Sequence, residues 1–469
     1  MSDRLAVLDQ RPLPGTPRAY DFPAFGRSRL DNGLTLIRAH VPGRPLLQAQ
    51  LLVRGDAGGG ATSEPPTHAG VTVLAARAMS EGTVKRDAVA FVEACERLGA
   101  EMGANAGWDS LTVQVEVPRA HLAPAMTLFA EMTLQPSFPA RETERLREER
   151  LNDLAQVMAD ARRRAEKAFP EVIYAPGVAY ARPSGGVEET VAHIDREAVV
   201  TRHAELLQPD ACTLIVCGDL DGVPLDDIVA SAFGSWAPDA VTAPDPGPAP
   251  DGRGEGRRVV LVDRPGAPQS EIRIGHVGTP RRIDDFHALS VTNALLGGLF
   301  NSRLNLLLRE QRGYTYGVNS GFEMRRAAGP FAVRCAVESD VTAPAIADIM
   351  AELDRIREAP VAPDELDAAR DYLVGVFPLR FETSAQVAAA LAGLVVHELP
   401  DDELDRYRPT IAAVSAEDVR AAAVRHIHPE QASIVVVGDV SRFEPALRAA
   451  AYGEVEVVID DGFRGAGGA

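Results

Sequence analysis

Ten histidines, four cysteines and an arginine–tyrosine pair are the side chains of this 469-residue chain best suited to chemistry. The histidines never form H-x-x-E-H or its inverse, the spacings that bring two imidazoles and a carboxylate together on one helix face. The closest pair, His426 and His428, sits at a helix end beside Pro429, where imidazoles cap carbonyls and complement the helix dipole. His68 precedes a helix and reads as a cap or surface residue. Cys95, Cys212, Cys217 and Cys335 form no C-x-x-C, so a thiolate zinc site has no support. Scattered thiols of this kind fit a reducing compartment. Gly58-Gly59-Gly60 lacks the lysine of a P-loop and the spacing of a dinucleotide turn. Arg162-Arg163-Arg164 reads as a solvated helix face. Arg309 ends a short amphipathic helix, with Gly313 as its C-cap; Tyr314 and Tyr316 then start a strand and point to one face. Spacing alone makes these an exposed arginine and a half-buried tyrosine.

The elements that position these residues come in two copies. Residues 209–220, PDACTLIVCGDL, repeat as residues 429–440, PEQASIVVVGDV. The register extends upstream: Val191, Ile194, Glu197 and Val199 match Ile411, Val414, Glu417 and Val419. Each copy reads as an amphipathic helix, a proline and a buried strand ending in Gly-Asp. Between the copies, residues 237–257 are rich in Pro, Gly and Asp and read as an exposed connector. The chain therefore divides into an N-terminal extension (1–24), a first domain (25–236), the linker (237–257), a homologous second domain (258–460) and a disordered tail (461–469). The periodicity predicts strands near 33–40, 47–55 and 111–117, with helices over 69–79, 87–98, 119–134 and 140–168. In the second half it predicts strands near 258–263, 270–277, 314–322 and 331–338, with helices over 283–297, 302–312, 342–358 and 364–395. Strands and helices arrive in blocks, which predicts an α+β fold whose mainly antiparallel sheets are covered by helices.

The formal charge of −19, from 48 basic and 67 acidic side chains, argues against nucleic-acid binding. An acidic field aids solubility and favours neutral or basic partners, such as basic peptides. The first twenty residues have no apolar core, and no apolar run is long enough to span a membrane, so the cytoplasm is the expected location and no membrane partner is expected.

With the duplication in view, several segments resemble the pitrilysin and mitochondrial-processing-peptidase family. These are Leu30-Asp31-Asn32-Gly33-Leu34, Gly70–Thr83 (GVTVLAARAMSEGT), Leu98–Ala100, Asn105–Asp109, Pro136–Phe138, Ser302–Leu304 and Arg309–Tyr316. The resemblance spans about residues 28–450. Catalytic members carry G-x-x-H-x-x-E-H-x-x-x-x-G-T where this chain has Gly70–Thr83. Val73 and Arg77 thus stand at the histidine positions and Ala76 at the glutamate position. Val and Ala offer zinc no lone pair, and Arg is a permanent cation. The third ligand would lie near Glu148–Asp153; without the others, Glu148, Glu149 and Asp153 read as solvated charges.

The resemblance gives Arg309 the task of holding substrate carbonyls and Tyr316 that of donating a hydrogen bond to the oxyanion, with Tyr314 as the rival tyrosine. It also implies peptide binding by strand addition along Gly103, Ala104, Asn105 and Ala106, a segment that reads equally well as a bulge or turn. The implied architecture is half of a clamshell. The implied function is that of a zinc-free subunit of a heterodimeric metallopeptidase: this chain holds no cofactor, and a homologous partner with the zinc motif carries the metal. The alternatives are a structural protein or a non-proteolytic peptide-binding protein of the same fold.

Overall fold

Runs of Val, Ile and Leu build two six-stranded sheets, one in each half of the chain. The computed structural model describes residue 15 and residues 18–55, 58–237 and 257–460. Most of the expected extension, nearly all of the expected linker and the expected tail lie outside these residues. The first sheet contains β1 (Phe25–Arg29), β2 (Thr35–His40), β3 (Leu46–Arg54), β4 (Glu101–Ala106), β5 (Ser110–Pro118) and β6 (Cys212–Gly218), in the order β1-β2-β6-β3-β5-β4. The second contains β7 (Arg258–Asp263), β8 (Gln269–Val277), β9 (Val318–Phe322), β10 (Pro330–Glu338), β11 (Ser433–Gly438) and β12 (Glu454–Ile459), in the order β12-β7-β11-β8-β10-β9.

The repeated strands β6 and β11 occupy the same interior place in their sheets. Each is parallel to one neighbour and antiparallel to the other. Every residue of both is buried, because helices cover both faces of each sheet; their unbroken apolar runs follow from that. In β5 the alternation has the expected sense: Leu111, Val113, Val115 and Val117 are buried and Gln114 is exposed, although Thr112 is also buried. The sheets are mainly antiparallel and the fold is α+β. The outermost strands break the internal symmetry: β1 runs antiparallel to β2, whereas β12 runs parallel to β7. Both are partly exposed and rich in charge, so periodicity does not mark them.

Two long helical patterns are each interrupted, in matching places. The 140–168 pattern is two helices, Ala140–Ala159 and Ala161–Ile173. Asp160 between them is extended, and its carboxylate accepts from Arg163 N–H at 2.7 Å to start the second helix. The 364–395 pattern is Pro363–Val376, a tight turn at Phe377–Phe381, and Ser384–Val396, the last capped reciprocally by Thr383 and Gln386. The two helical segments of this second break meet at 111°. Among the described residues no single helix is long and apolar enough to cross a membrane.

After each break the following helix crosses to the other half. Val387, Ala388 and Leu391 pack on Ile37, Leu52 and Ile215 of the first sheet. Phe169, Val172 and Ile173 pack on Val260, Ala332 and Val435 of the second. Polar contacts reinforce the exchange: Arg164 pairs with Asp460 at 2.9 Å, both nearly sealed from solvent, and Arg273 pairs with Glu166 at 2.9 Å. Asp109 accepts from Tyr180 Oη at 2.6 Å and from Arg326 N–H at 3.0 Å, so it too ties the halves together.

Among the described residues, His426 and His428 cap no carbonyl with their rings; His426 pairs with a carboxylate instead. His426 Nε2 lies 2.9 Å from the Asp285 carboxylate, and the His428 N–H donates to Nε2 of His276 at 3.0 Å. His276 Nδ1 donates to Val277 O at 2.8 Å, so its ring is held as a neutral tautomer. Burial pushes the pKa of His276 down to about 4, and burial likewise pushes His397 down to about 4. A histidine whose folded pKa is depressed contributes stability that is present above its unfolded pKa, near 6.5, and is lost as pH falls toward the folded value. Chemical denaturation between pH 6.5 and 5, above most carboxylate titrations, should therefore show a loss of roughly 2 kcal/mol per buried histidine. His276→Gln should flatten that loss; a profile unchanged between pH 7 and 5 would contradict the assignment.

Candidate functional site

The helix Val71–Ala78 begins at Gly70, whose φ of 101° no L-residue adopts readily, with Gly185 O only 2.7 Å from where a Cβ would sit. Glu64 caps this start by accepting from Gly70 N–H and Thr72 N–H, each at 2.8 Å. The carboxylate is sealed from solvent and faces Arg182 at 3.3 Å. Arg202, also sealed, donates to Thr72 Oγ1, Gly58 O, Gly60 O and Ser63 Oγ. The carbonyls of the Gly58–Gly60 loop thus serve to hold a guanidinium. A buried cation is tolerated only when paired and hydrogen-bonded, and this one fastens the helix.

On that helix Val73 and Arg77 lie one turn apart on the partly exposed side, while Ala76 is fully buried. Arg77 Nη2 lies 3.5 Å from Glu149 Oε2 on the helix Ala140–Ala159. Glu149 also receives Arg145 at 2.6 Å, and Arg145 reaches Glu81 and Glu142 at 2.8 and 2.7 Å. Glu149 is therefore part of a charge network, with its side chain still 44% exposed. Sequence spacing could not have paired residues so far apart. These residues do not fit zinc: one donor-less aliphatic, one buried alanine, and a guanidinium beside the carboxylate. Among the described residues no three His, Cys, Asp or Glu side chains are grouped to hold a metal.

Gly103, Ala104, Asn105 and Ala106 lie in β4, the outer strand of the first sheet, next to the helix Val71–Ala78. Strand β4 bonds to β5 on one side and, among the described residues, pairs with no strand on the other. A Cβ on Gly103 would meet nothing within 4 Å. Gly107 lies in the tight turn into β5, its N–H bonded to Ser110 O at 2.9 Å.

Arg309 lies in a wide helical turn, Leu306–Gln311, that continues Arg303–Asn305. Asn305 pins this turn to β9 through both Val318 backbone groups. The Arg309 guanidinium stacks 3.6 Å from the Phe300 ring centre and pairs with Glu310 at 2.6 Å. Gly313 has φ 67°, as a C-cap requires. The strand begins only at Val318, so Tyr314 and Tyr316 precede it, a correction to their expected place at its start. The cause is local: Tyr314 N–H still bonds to Leu308 O, prolonging the helical turn. Tyr314 packs partly buried on the second core, whereas Tyr316 is 98% exposed. Its hydroxyl has no hydrogen bond to another described residue. Tyr316 borders a cleft of about 510 Å³, with Glu166 of the crossing helix and Arg334 of β10 opposite. Among the described residues, no hydrogen bond or ion pair joins Arg309 or Tyr316 to Val73, Ala76 or Arg77.

Two family models match: "Insulinase (Peptidase family M16)" over residues 53–179 and "Peptidase M16 inactive domain" over residues 193–373. The chain belongs to the M16 peptidase family. Among its relatives, an uncharacterized zinc protease of Mycobacterium tuberculosis is 24% identical over 434 residues, covering 91% of this chain and 96% of that protein. A Helicobacter pylori protein described as a non-peptidase homolog is 23% identical over 331 residues, covering 70% and 74%. The M16 fold recurs in an inactive-domain structure from Pseudomonas fluorescens (TM-score 0.80, 23% identity, 88% of this chain and 98% of that one). A protease structure from Helicobacter pylori aligns with TM-score 0.81 at 18% identity, over 89% and 100%.

The position of Glu149 generates a test of the metal register. Val73→His with Arg77→His should bind about one zinc per chain, measured by metal analysis after dialysis, and adding Glu149→Ala should abolish it. Adding Ala76→Glu instead should destabilise the fold by about 1–3 kcal/mol, because the position is sealed.

Proposed function

We propose that this M16 chain is the zinc-free subunit of a heterodimeric zinc metallopeptidase. A homologous partner carries the zinc; this chain holds no cofactor, closes the chamber and presents Arg309 and Tyr316 to the partner's metal site. The observation that carries this reading is Tyr316: a phenol with no hydrogen-bond partner among the described residues, bordering a cleft and close in sequence to the stacked Arg309. A hydroxyl so placed can donate to an oxyanion forming on a peptide carbonyl, and a guanidinium fork can hold neighbouring carbonyls. The open edge of β4 gives an extended peptide a backbone template without demanding a sequence. The name of the Helicobacter pylori relative favours a second reading, a non-proteolytic structural or peptide-binding protein.

Substitution of the phenol separates the two. In the complex with its partner, Tyr316→Phe should lower kcat for peptide hydrolysis about a hundred- to a thousandfold while assembly, followed by size-exclusion chromatography, is unchanged. An unchanged rate would remove Tyr316 from the mechanism.

A further inference from the structure

A second cleft, of about 330 Å³, opens beside that of Tyr316, between the crossing helix Ala161–Ile173, the helix Ala140–Ala159 and the start of β10. Its floor is apolar, with Leu154, Val157 and Phe169. Its rim is basic, with Arg150, Arg163, Lys167, Arg182, Arg325 and Arg334. Two carboxylates, Glu166 and Glu323, also line it, and both are already engaged. Glu166 serves Arg273 and Arg334, and Glu323 serves Arg325. Arg182 faces Glu64, and Lys167 pairs with Glu171.

Among the described residues, Arg150 and Arg163 pair with no carboxylate. Arg150 donates to the carbonyl of Gly185 at 2.9 Å, a neutral partner. Burial pushes its pKa down, with Asp153 opposing and the neighbouring Arg77 and Arg163 adding to the effect. The Arg163 side chain makes no ion pair with a described residue and is exposed at the rim. Glu166 and Arg334 line both clefts, so the basic rim runs on to Tyr316. In a chain of net charge −19, this is a local field of the opposite sign. A partly dry, concave wall concentrates such a field.

We infer that this wall binds a peptide carboxylate, an acidic side chain or a free C-terminus, with an adjoining apolar side chain on the Leu154–Phe169 floor. The inference rests on the peptide-chamber reading above and names its substrate class: acidic peptides rather than the basic ones that net charge alone suggests.

The test is fluorescence anisotropy of the full chain with labelled peptides of one apolar sequence carrying either Glu or Gln at two positions, each with a free or amidated C-terminus. The Glu peptide should bind about tenfold more tightly than the Gln peptide at low salt, an advantage that shrinks at about 0.5 M salt. Arg163→Glu, on an exposed unpaired side chain, should remove the advantage and leave binding of the amidated Gln peptide unchanged; Arg150→Met should act likewise. If amidation rather than Glu→Gln causes the loss, the carboxylate is the C-terminus. Equal affinity for all four peptides, no binding of any, or a preference untouched by Arg163→Glu would overturn the inference. Because binding is read on this chain alone, its failure is distinguishable from a failure of the Tyr316 test in the complex.

Discussion

Each sheet of this chain buries its second face against a helix supplied by the other half. Without Ser384–Val396, the face bearing Ile37, Leu52 and Ile215 would be open to water; without Ala161–Ile173, so would Val260, Ala332 and Val435. Burial of that much aliphatic surface is a dominant favourable term, so the exchange fixes how the halves meet. Both clefts inherit their place from it. The crossing helix brings Glu166 to Arg273 and Arg334, and thereby forms one wall of both clefts, including the one that Tyr316 borders.

The first half shows how a scaffold can persist apart from its chemistry. Glu64, Arg182 and Arg202 hold the start of the helix Val71–Ala78 with several charge-assisted hydrogen bonds. Such a cluster is costly to break, because each lost partner strands a buried charge. The helix therefore stays fixed beside the β4 edge although its side chains cannot ligate zinc. Where a metal would join this helix to Ala140–Ala159, a guanidinium–carboxylate contact between Arg77 and Glu149 spans the gap. That pair is partly exposed and contributes little to stability, on the order of 0–1 kcal/mol.

Much of this architecture is legible in the residues, and the parts that are not share a cause. The PDACTLIVCGDL repeat reveals the duplication because β6 and β11 are wholly buried, which forces continuous apolar runs at an identical place in each sheet. Helix Thr342–Glu358 and strand β7 match their predicted bounds because their boundaries are set by local signals. The breaks at Asp160 and near Thr383 escape the periodicity, since an amphipathic pattern continues across them while the chain changes partner. Strands β1 and β12 escape because outer strands need not alternate. For the site, the absence of metal donors at Val73, Ala76 and Arg77 is readable from residue type alone. The Arg77–Glu149 contact is a long-range pairing inside the first half, Tyr316 owes its place to the prolonged turn before β9, and the basic clefts are long-range consequences of the helix exchange. The basic clefts could not be read from net charge, which averages over a surface that the fold sorts by sign.

The division of labour between two chains is the central claim, and the most direct measurement is zinc content with peptide hydrolysis, first for this chain alone and then for an equimolar mixture with its zinc-motif homologue. The account predicts a metal-free, inert chain alone and peptide cleavage by the mixture. Zinc-dependent cleavage by this chain alone, or a mixture in which this chain adds nothing to its homologue's activity, would contradict it.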